Sequence, residues 1–260
     1  EPRDIYFHYG KALWGIKQYE RADSLLNAHL EWLSRQPSDY VSAAPADETH
    51  QLLGDCAFYK KPPDFGKAVG YYQKSIDINP NQKRLIGNMA LAYHNLKSYT
   101  QALEFYEKRI ALGIDSASAS NYKNAAYCAL NLAGSKGGGD EDVDLFGNGG
   151  SSSNGGDTTA QPVADPTRNY YKVAVEYLEK YLEFVPTDPG ALLRLGNTYL
   201  FNLNDCVKGV AAFEKLLVVE PGNCLAKRSL GYAYFGENLC SKSYSKALNY
   251  FRDAYDCVAK

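Results

Sequence analysis

The sequence has no apolar run near the roughly 20 residues that a membrane-spanning helix requires, which excludes a helical span within it. It has no surplus of positive charge either: the formal net charge is -2. There is thus no basic footprint for nucleic acid. Methionine occurs once against 22 tyrosines, so core and surface are built on rigid aromatic rings and not on adaptable thioethers. The six cysteines, Cys56, Cys128, Cys206, Cys224, Cys240 and Cys257, form no CxxC pair and none stands near a histidine at zinc-ligand spacing. They are expected to be thiols, with Cys56 and Cys128 buried in helices. His8, His29, His50 and His94 belong to no local catalytic signature. Gly66-Lys67 has the ending of a phosphate loop but lacks its first glycine and its preceding strand. These absences leave no recognisable enzyme class, and neither a cofactor nor a metal is expected.

What the chain does have is a period. In Lys83–Ser116 two short amphipathic patterns meet at a polar turn around Lys97-Ser98. Ala90 and Tyr93 mark the first pattern, and Tyr99, Ala102 and Tyr106 the second, all at helical spacing. Ala68 lies 34 residues before Ala102, again with an aromatic four later at Tyr72 and a proline twelve later at Pro80. The interval from Gly10 to Ala22 is 12 residues, equal to that from Ala90 to Ala102. Along the chain the small residues Ala22, Ala68, Ala102, Ala174, Gly209 and Ala247 each precede a large apolar residue by four. Their spacings are 46, 34, 72, 35 and 38, and each excess over 34 coincides with a loop of Pro, Gly or polar residues. Two helices joined by a short turn approach closely only where side chains are small. The larger residues three or four positions on then fill the groove to the next pair. One pair cannot bury its own faces, so several must stack.

The Leu-Gly, Tyr, Ala, Phe and Pro marks at this period resemble the tetratricopeptide repeat. The local departures are Ile114 in place of the third closing proline, Gly209 in place of alanine, and a late Pro37. The resemblance implies an all-α fold, a right-handed superhelical solenoid of antiparallel helix pairs. Six repeats would form one solenoid over residues 1–260, at about 3–36, 47–82, 83–116, 119–188, 189–223 and 224–260. The fourth is interrupted by a Gly-, Ser- and Asp-rich insertion over 134–168, whose composition cannot offset its ordering entropy and which is expected to be flexible. Its acidic group, Asp140, Glu141, Asp142 and Asp144, lacks the spacing of a calcium loop.

Such solenoids present a concave face lined by the first helix of each repeat. Counting from the Gly/Ala contact position, the candidates for that face are His8, Lys11, Gln51, Asp55, Arg84, Asn88, Leu91, Lys123, Asn124, Tyr127, Arg194, Asn197, Arg228 and Tyr232. Asn and Arg there suit a peptide backbone or carboxylate, and Tyr and Leu suit apolar side chains. A branch of the family grips chaperone C-termini through a carboxylate clamp. Of its positions Asn88 alone matches, since Gln51, Ser120 and Asn124 stand where basic residues belong, so chaperone binding is not expected.

The expected function is a non-enzymatic protein-interaction scaffold or adaptor that holds a peptide or protein segment. The alternative is a structural or self-assembly module stacking through its repeat ends, with a second copy or a neighbouring domain at the C-terminal end. An enzyme with a site assembled only in space is the third reading. The start at Glu1 suits an exported mature chain or a fragment, while cysteines read as thiols favour a reducing compartment.

Overall fold

The computed structural model describes residues 5–37, 45–113, 118–134, 165–236 and 240–258. The core of the insertion, with its acidic group, lies outside the described residues. The chain divides into two compact units, Glu1–Leu112 and Gly113–Lys260.

Unit 1 holds three antiparallel helix pairs: α1 (Ile5–Gly15) with α2 (Tyr19–Ser34), α3 (Ala46–Tyr59) with α4 (Phe65–Ile78), and α5 (Lys83–Asn95) with α6 (Tyr99–Ala111). Unit 2 holds α7 (Ser118–Gly134) with α8 (Tyr170–Phe184), α9 (Pro189–Asn197) with α10 (Cys206–Val219), and α11 (Cys224–Phe235) with α12 (Tyr244–Val258). A π-helical turn, Thr198–Asn202, continues α9. Among the described residues there is no strand. Asp64, Asn169, Asp188, Asp205 and Asn223 cap the helices that follow them, each accepting a backbone N–H three residues on.

Three of the turns between paired helices share one device. Lys17, Lys97 and Asn204 have φ of 64°, 58° and 53°, and the next residue donates its N–H back across the turn. Those bonds run from Gln18 to Leu13, Ser98 to Tyr93, and Asp205 to Tyr199. One left-handed residue thus reverses the chain in each tight turn.

Within each pair the helices meet at the small residues. Gly54 faces the ring of Tyr72, and Gly196 faces that of Phe213. A Cβ on Gly54 would lie 2.5 Å from two Tyr72 ring atoms. That ring is fully buried and its hydroxyl is bound to Asp55, so it cannot retreat. Gly54→Ala is therefore expected to destabilise by about 1–3 kcal/mol although alanine is the better helix former. Gly70→Ala, on the exposed side of α4 with nothing within 4 Å, should instead stabilise by up to about 1 kcal/mol. Chemical denaturation of the two variants checks the opposite signs.

Between pairs, the second helix of one packs on the first helix of the next. In unit 1 Leu26 of α2 joins Leu52, Leu53 and Cys56 of α3, and Tyr72 of α4 joins Leu85 and Met89 of α5. In unit 2 Val175 and Leu178 of α8 meet Ala191 and Leu195 of α9, and Val210 and Phe213 of α10 meet Ala226 and Leu230 of α11.

The cysteines correct one expectation and meet another. Cys56 and Cys128 are free and buried, and burial pushes both thiols up to about 12, which leaves them unreactive. The other four are not thiols. Cys206 at the start of α10 is bonded to Cys240 ahead of α12, and Cys224 at the start of α11 is bonded to Cys257 near the end of α12. The bond places Cys240 beside the start of α10, which no local spacing rule reveals. The preference for a reducing compartment falls with these bridges.

Candidate functional site

The first helices of unit 1 bring Asp55, Arg84 and Asn88 together. Asp55 on α3 is fully buried. It accepts from the Tyr72 hydroxyl at 2.8 Å, from Arg84 Nη2 at 2.7 Å and from Asn88 Nδ2 at 3.2 Å. Burial raises its carboxyl above the usual carboxylate range, against the pull of Tyr72, Arg84 and Asn88. Asp55 is enclosed and holds Arg84 in place, while the Arg84 side chain remains 59% exposed. Leu91 lies exposed on the same helix and Gln51 is half-buried. On α1, Lys11 donates to Glu48 at 2.6 Å and His8 packs edge-on to Phe7.

The first helices of unit 2 carry the larger group. Lys123 donates to Asp188 Oδ2 at 2.7 Å, and the Tyr181 hydroxyl donates to the same oxygen at 2.6 Å. Burial raises the Asp188 carboxyl, but these two donors and the Ala191 N–H outweigh it and hold the group down at about 2. The Arg194 guanidinium lies 4.0 Å from the centre of the Tyr127 ring, joining α9 to α7. Asn124 is half-buried beside them in sequence. Ser229 on α11 donates to Asn197 Oδ1 at 3.3 Å, joining α11 to α9.

Between α9 with its π turn and α11 lies a groove of about 560 Å³, lined by Asn197, Phe201, Asn202, Leu225, Arg228, Ser229 and Tyr232. Three of the residues singled out from sequence, Asn197, Arg228 and Tyr232, meet here. Phe201 and Asn202 were missed, and their signal was a count. From Gly196 to the left-handed turn residue Asn204 is eight positions, whereas Gly10 to Lys17 and Ala90 to Lys97 are seven. The fifth pair absorbs its extra residue as the π turn, with the Leu203 N–H bonded to the Thr198 carbonyl. Leu200 stays buried and Phe201 and Asn202 emerge on the groove.

Arg228 is the one charged residue among those lining the groove. Helices α7, α9 and α11 contain Lys123, Arg194, Lys227 and Arg228 and no Asp or Glu. Arg228 is exposed and makes no hydrogen bond or ion pair among the described residues. A second cavity, about 530 Å³ between α8 and α10, is lined by Glu179, Tyr199 and Lys208, which bond one another. Among the described residues no three His, Cys, Asp or Glu side chains converge to hold a metal, and no helix is long and apolar enough to cross a membrane.

Helix pairs stacked through Gly/Ala contacts, with their first helices side by side, define a helical-repeat protein. Residues 84–112 match the family model described as the tetratricopeptide repeat. The matched segment is the α5–α6 pair. Solved structures agree on the fold. A MamA protein superposes with a TM-score of 0.56 at 20% identity, over 82% of this chain and 92% of its own. YrrB, described as a tetratricopeptide-repeat protein with an unusual peptide-binding site, gives 0.55 at 16% identity over 82% and 86%. The C-terminal part of a repeat protein from Cytophaga hutchinsonii gives 0.55 at 16% identity, over 97% of this chain and 79% of its own. No curated protein matches the sequence. The fold is one typically used for non-catalytic protein–protein interaction.

Proposed function

We propose that this protein is a non-enzymatic scaffold that seats an extended, acidic peptide segment of a partner protein in the groove between α9 and α11. The observation that carries the reading is the meeting of Asn197, Arg228 and Tyr232 with Phe201 and Asn202 in one cavity. Each supplies a different part of peptide recognition. The Arg228 guanidinium offers a fork for a carboxylate. Asn197 uses its carbonyl on Ser229, which leaves its amide N–H₂ for a peptide carbonyl. Phe201 and Tyr232, 41% and 50% exposed, frame an apolar side chain. The lack of acidic residues on α7, α9 and α11 favours a negatively charged segment. Peptide binding by a protein of the same fold, YrrB, is in keeping with this use of the scaffold. The two disulfides fit work in an oxidising compartment.

The test is a peptide array spanning acidic, neutral and basic extended sequences, followed by fluorescence anisotropy on the binders. Acidic peptides with one apolar anchor should bind. Arg228→Ala should weaken them about tenfold, and Arg228→Glu more, with affinity falling as salt rises. Tyr232→Ala should weaken every binder, basic ones included. Binding that ignores Arg228, Asn197 and Tyr232 together would remove the groove from consideration.

A further inference from the structure

The cavity between α8 and α10 has oppositely charged rims over an apolar floor, and we propose that it seats an amphipathic helix of a partner protein. This site uses none of the α9–α11 groove and stands or falls apart from the peptide reading. Its floor is formed by Leu192 and Leu195 of α9, both buried, with Leu182 of α8 beside them. On the α10 side the small Ala211 and Ala212 leave the space of about 530 Å³ open. The α8 rim is acidic, with Glu179 and Glu183 one turn apart, and the α10 rim is basic, with Lys208 and Lys215 two turns apart. At one point the rims are already joined: Tyr199 donates to Glu179 at 2.7 Å, and Lys208 donates to the Tyr199 hydroxyl at 3.2 Å. Elsewhere they are open. Glu183, 62% exposed, pairs with Lys180 of its own helix at 3.0 Å, a surface contact of little net strength. Lys215 is exposed and makes no hydrogen bond or ion pair among the described residues.

A second observation extends the cavity outward. Val207, Ala211 and Val218 lie at i, i+4 and i+11, on one face of α10 alongside the cavity. The two valines are 79% and 82% exposed. Neither helix propensity nor core packing accounts for them, because β-branched side chains weaken a helix and these bury little against their own chain. The stripe is about 16 Å long, three turns of helix. A leucine floor edged by an apolar stripe of that length fits the apolar face of a helix laid into the groove. The rims select its flanks. Lys or Arg on one flank meets Glu179 and Glu183, and Asp or Glu on the other meets Lys215. A ligand of a single charge sign would always meet one rim of like sign, which disfavours a polyanion or polycation as the occupant. A contact of three turns is smaller than a standard interface, so the expected dissociation constant is on the order of 10–100 µM.

Fluorescence anisotropy with labelled helical peptides of about 18 residues tests it. Each peptide carries leucine at i, i+4, i+7 and i+11. Its flanks are lysine on one side and glutamate on the other, or lysine on both, or glutamate on both. The mixed-flank peptide should bind about tenfold tighter than either control, gaining helicity by circular dichroism as it binds. Val207→Gln with Val218→Gln should weaken it at least about tenfold, both positions being exposed and glutamine the better helix former. Glu183→Lys should move the preference toward the glutamate-flanked peptide, and Lys215→Glu toward the lysine-flanked one. Circular dichroism and melting unchanged from the parent would show that the variants are folded. Absence of binding by every peptide up to about 1 mM overturns the proposal. So does binding that the valine pair or the rim reversals leave unchanged. Self-association of the chain that the valine pair abolishes also overturns it, and gives this face to a second copy.

Discussion

Reduction of the two disulfides is expected to lower the stability of unit 2 by about 3–4 kcal/mol for the first bridge broken, and by less for the second. The bonded cysteines are 34 and 33 residues apart, and closing a loop of that length removes entropy of this size from the unfolded chain. The loops overlap between Cys224 and Cys240, so their effects are not independent. The bridges tie the starts of α10 and α11 to the two ends of the segment containing α12. Cys206→Ser with Cys240→Ser, and Cys224→Ser with Cys257→Ser, should each reproduce part of the loss. Hydrogen exchange should show α11 and α12 opening first, with α1–α6 unchanged. Thiol counting completes the test. The native oxidised chain should yield two titratable thiols only on unfolding, Cys56 and Cys128, and six after reduction. Six thiols in protein kept under oxidising conditions would contradict the pairing.

Arg84→Ala should cost unit 1 about 3 kcal/mol at neutral pH, the lower end of the range for breaking a buried ion pair. The arginine is itself largely solvated, and the penalty comes from the carboxylate it leaves behind. Asp55 would remain fully enclosed, with only the Tyr72 hydroxyl and the Asn88 amide to offset its charge. The pH dependence identifies this cause. The folded-state pKa of Asp55 is already raised by burial, and loss of Arg84 raises it further. A carboxyl whose folded pKa lies above its unfolded value contributes stability in full below the unfolded value, near 4, and loses it as pH rises through the folded value. The deficit of Arg84→Ala should therefore shrink as pH falls toward 4. Asp55→Asn combined with Arg84→Ala should be less sensitive to pH than Arg84→Ala alone. A deficit that does not change with pH would place the cost elsewhere.

Asp188 in unit 2 behaves in the opposite way. Its carboxyl is held down at about 2 by Lys123, Tyr181 and the Ala191 N–H despite partial burial. Its contribution is present above the unfolded value of about 3.8 and is lost as pH falls from there toward 2. The loss is at most about 2 kcal/mol. Acid titration followed separately in the two units should thus show Asp55 and Asp188 acting with opposite sign.

The helix pairs were legible because each depends on contacts close in sequence. The positions of Gly54, Ala68, Ala102 and Gly196 mark where two helices touch, and a fixed turn length repeats that geometry. The groove was half legible. Asn197, Arg228 and Tyr232 follow from counting along a regular helix. Phe201 and Asn202 do not, because one extra residue before the turn was absorbed as a π turn and changed which side chains emerge. Asp55 looked like a surface residue by the same count. Tyr72 and Arg84, distant in sequence, close over it.

The sequence alone determined the period, the all-α class, the paired helices and the small-residue contacts between them. Each of these is set by the steric demands of neighbours within about one repeat. Tertiary structure alone decided which cysteines pair, which of the candidate polar residues are spent on internal bonds, and that Arg228 keeps its charge free. Those outcomes depend on turn lengths and on approaches between helices far apart in the chain.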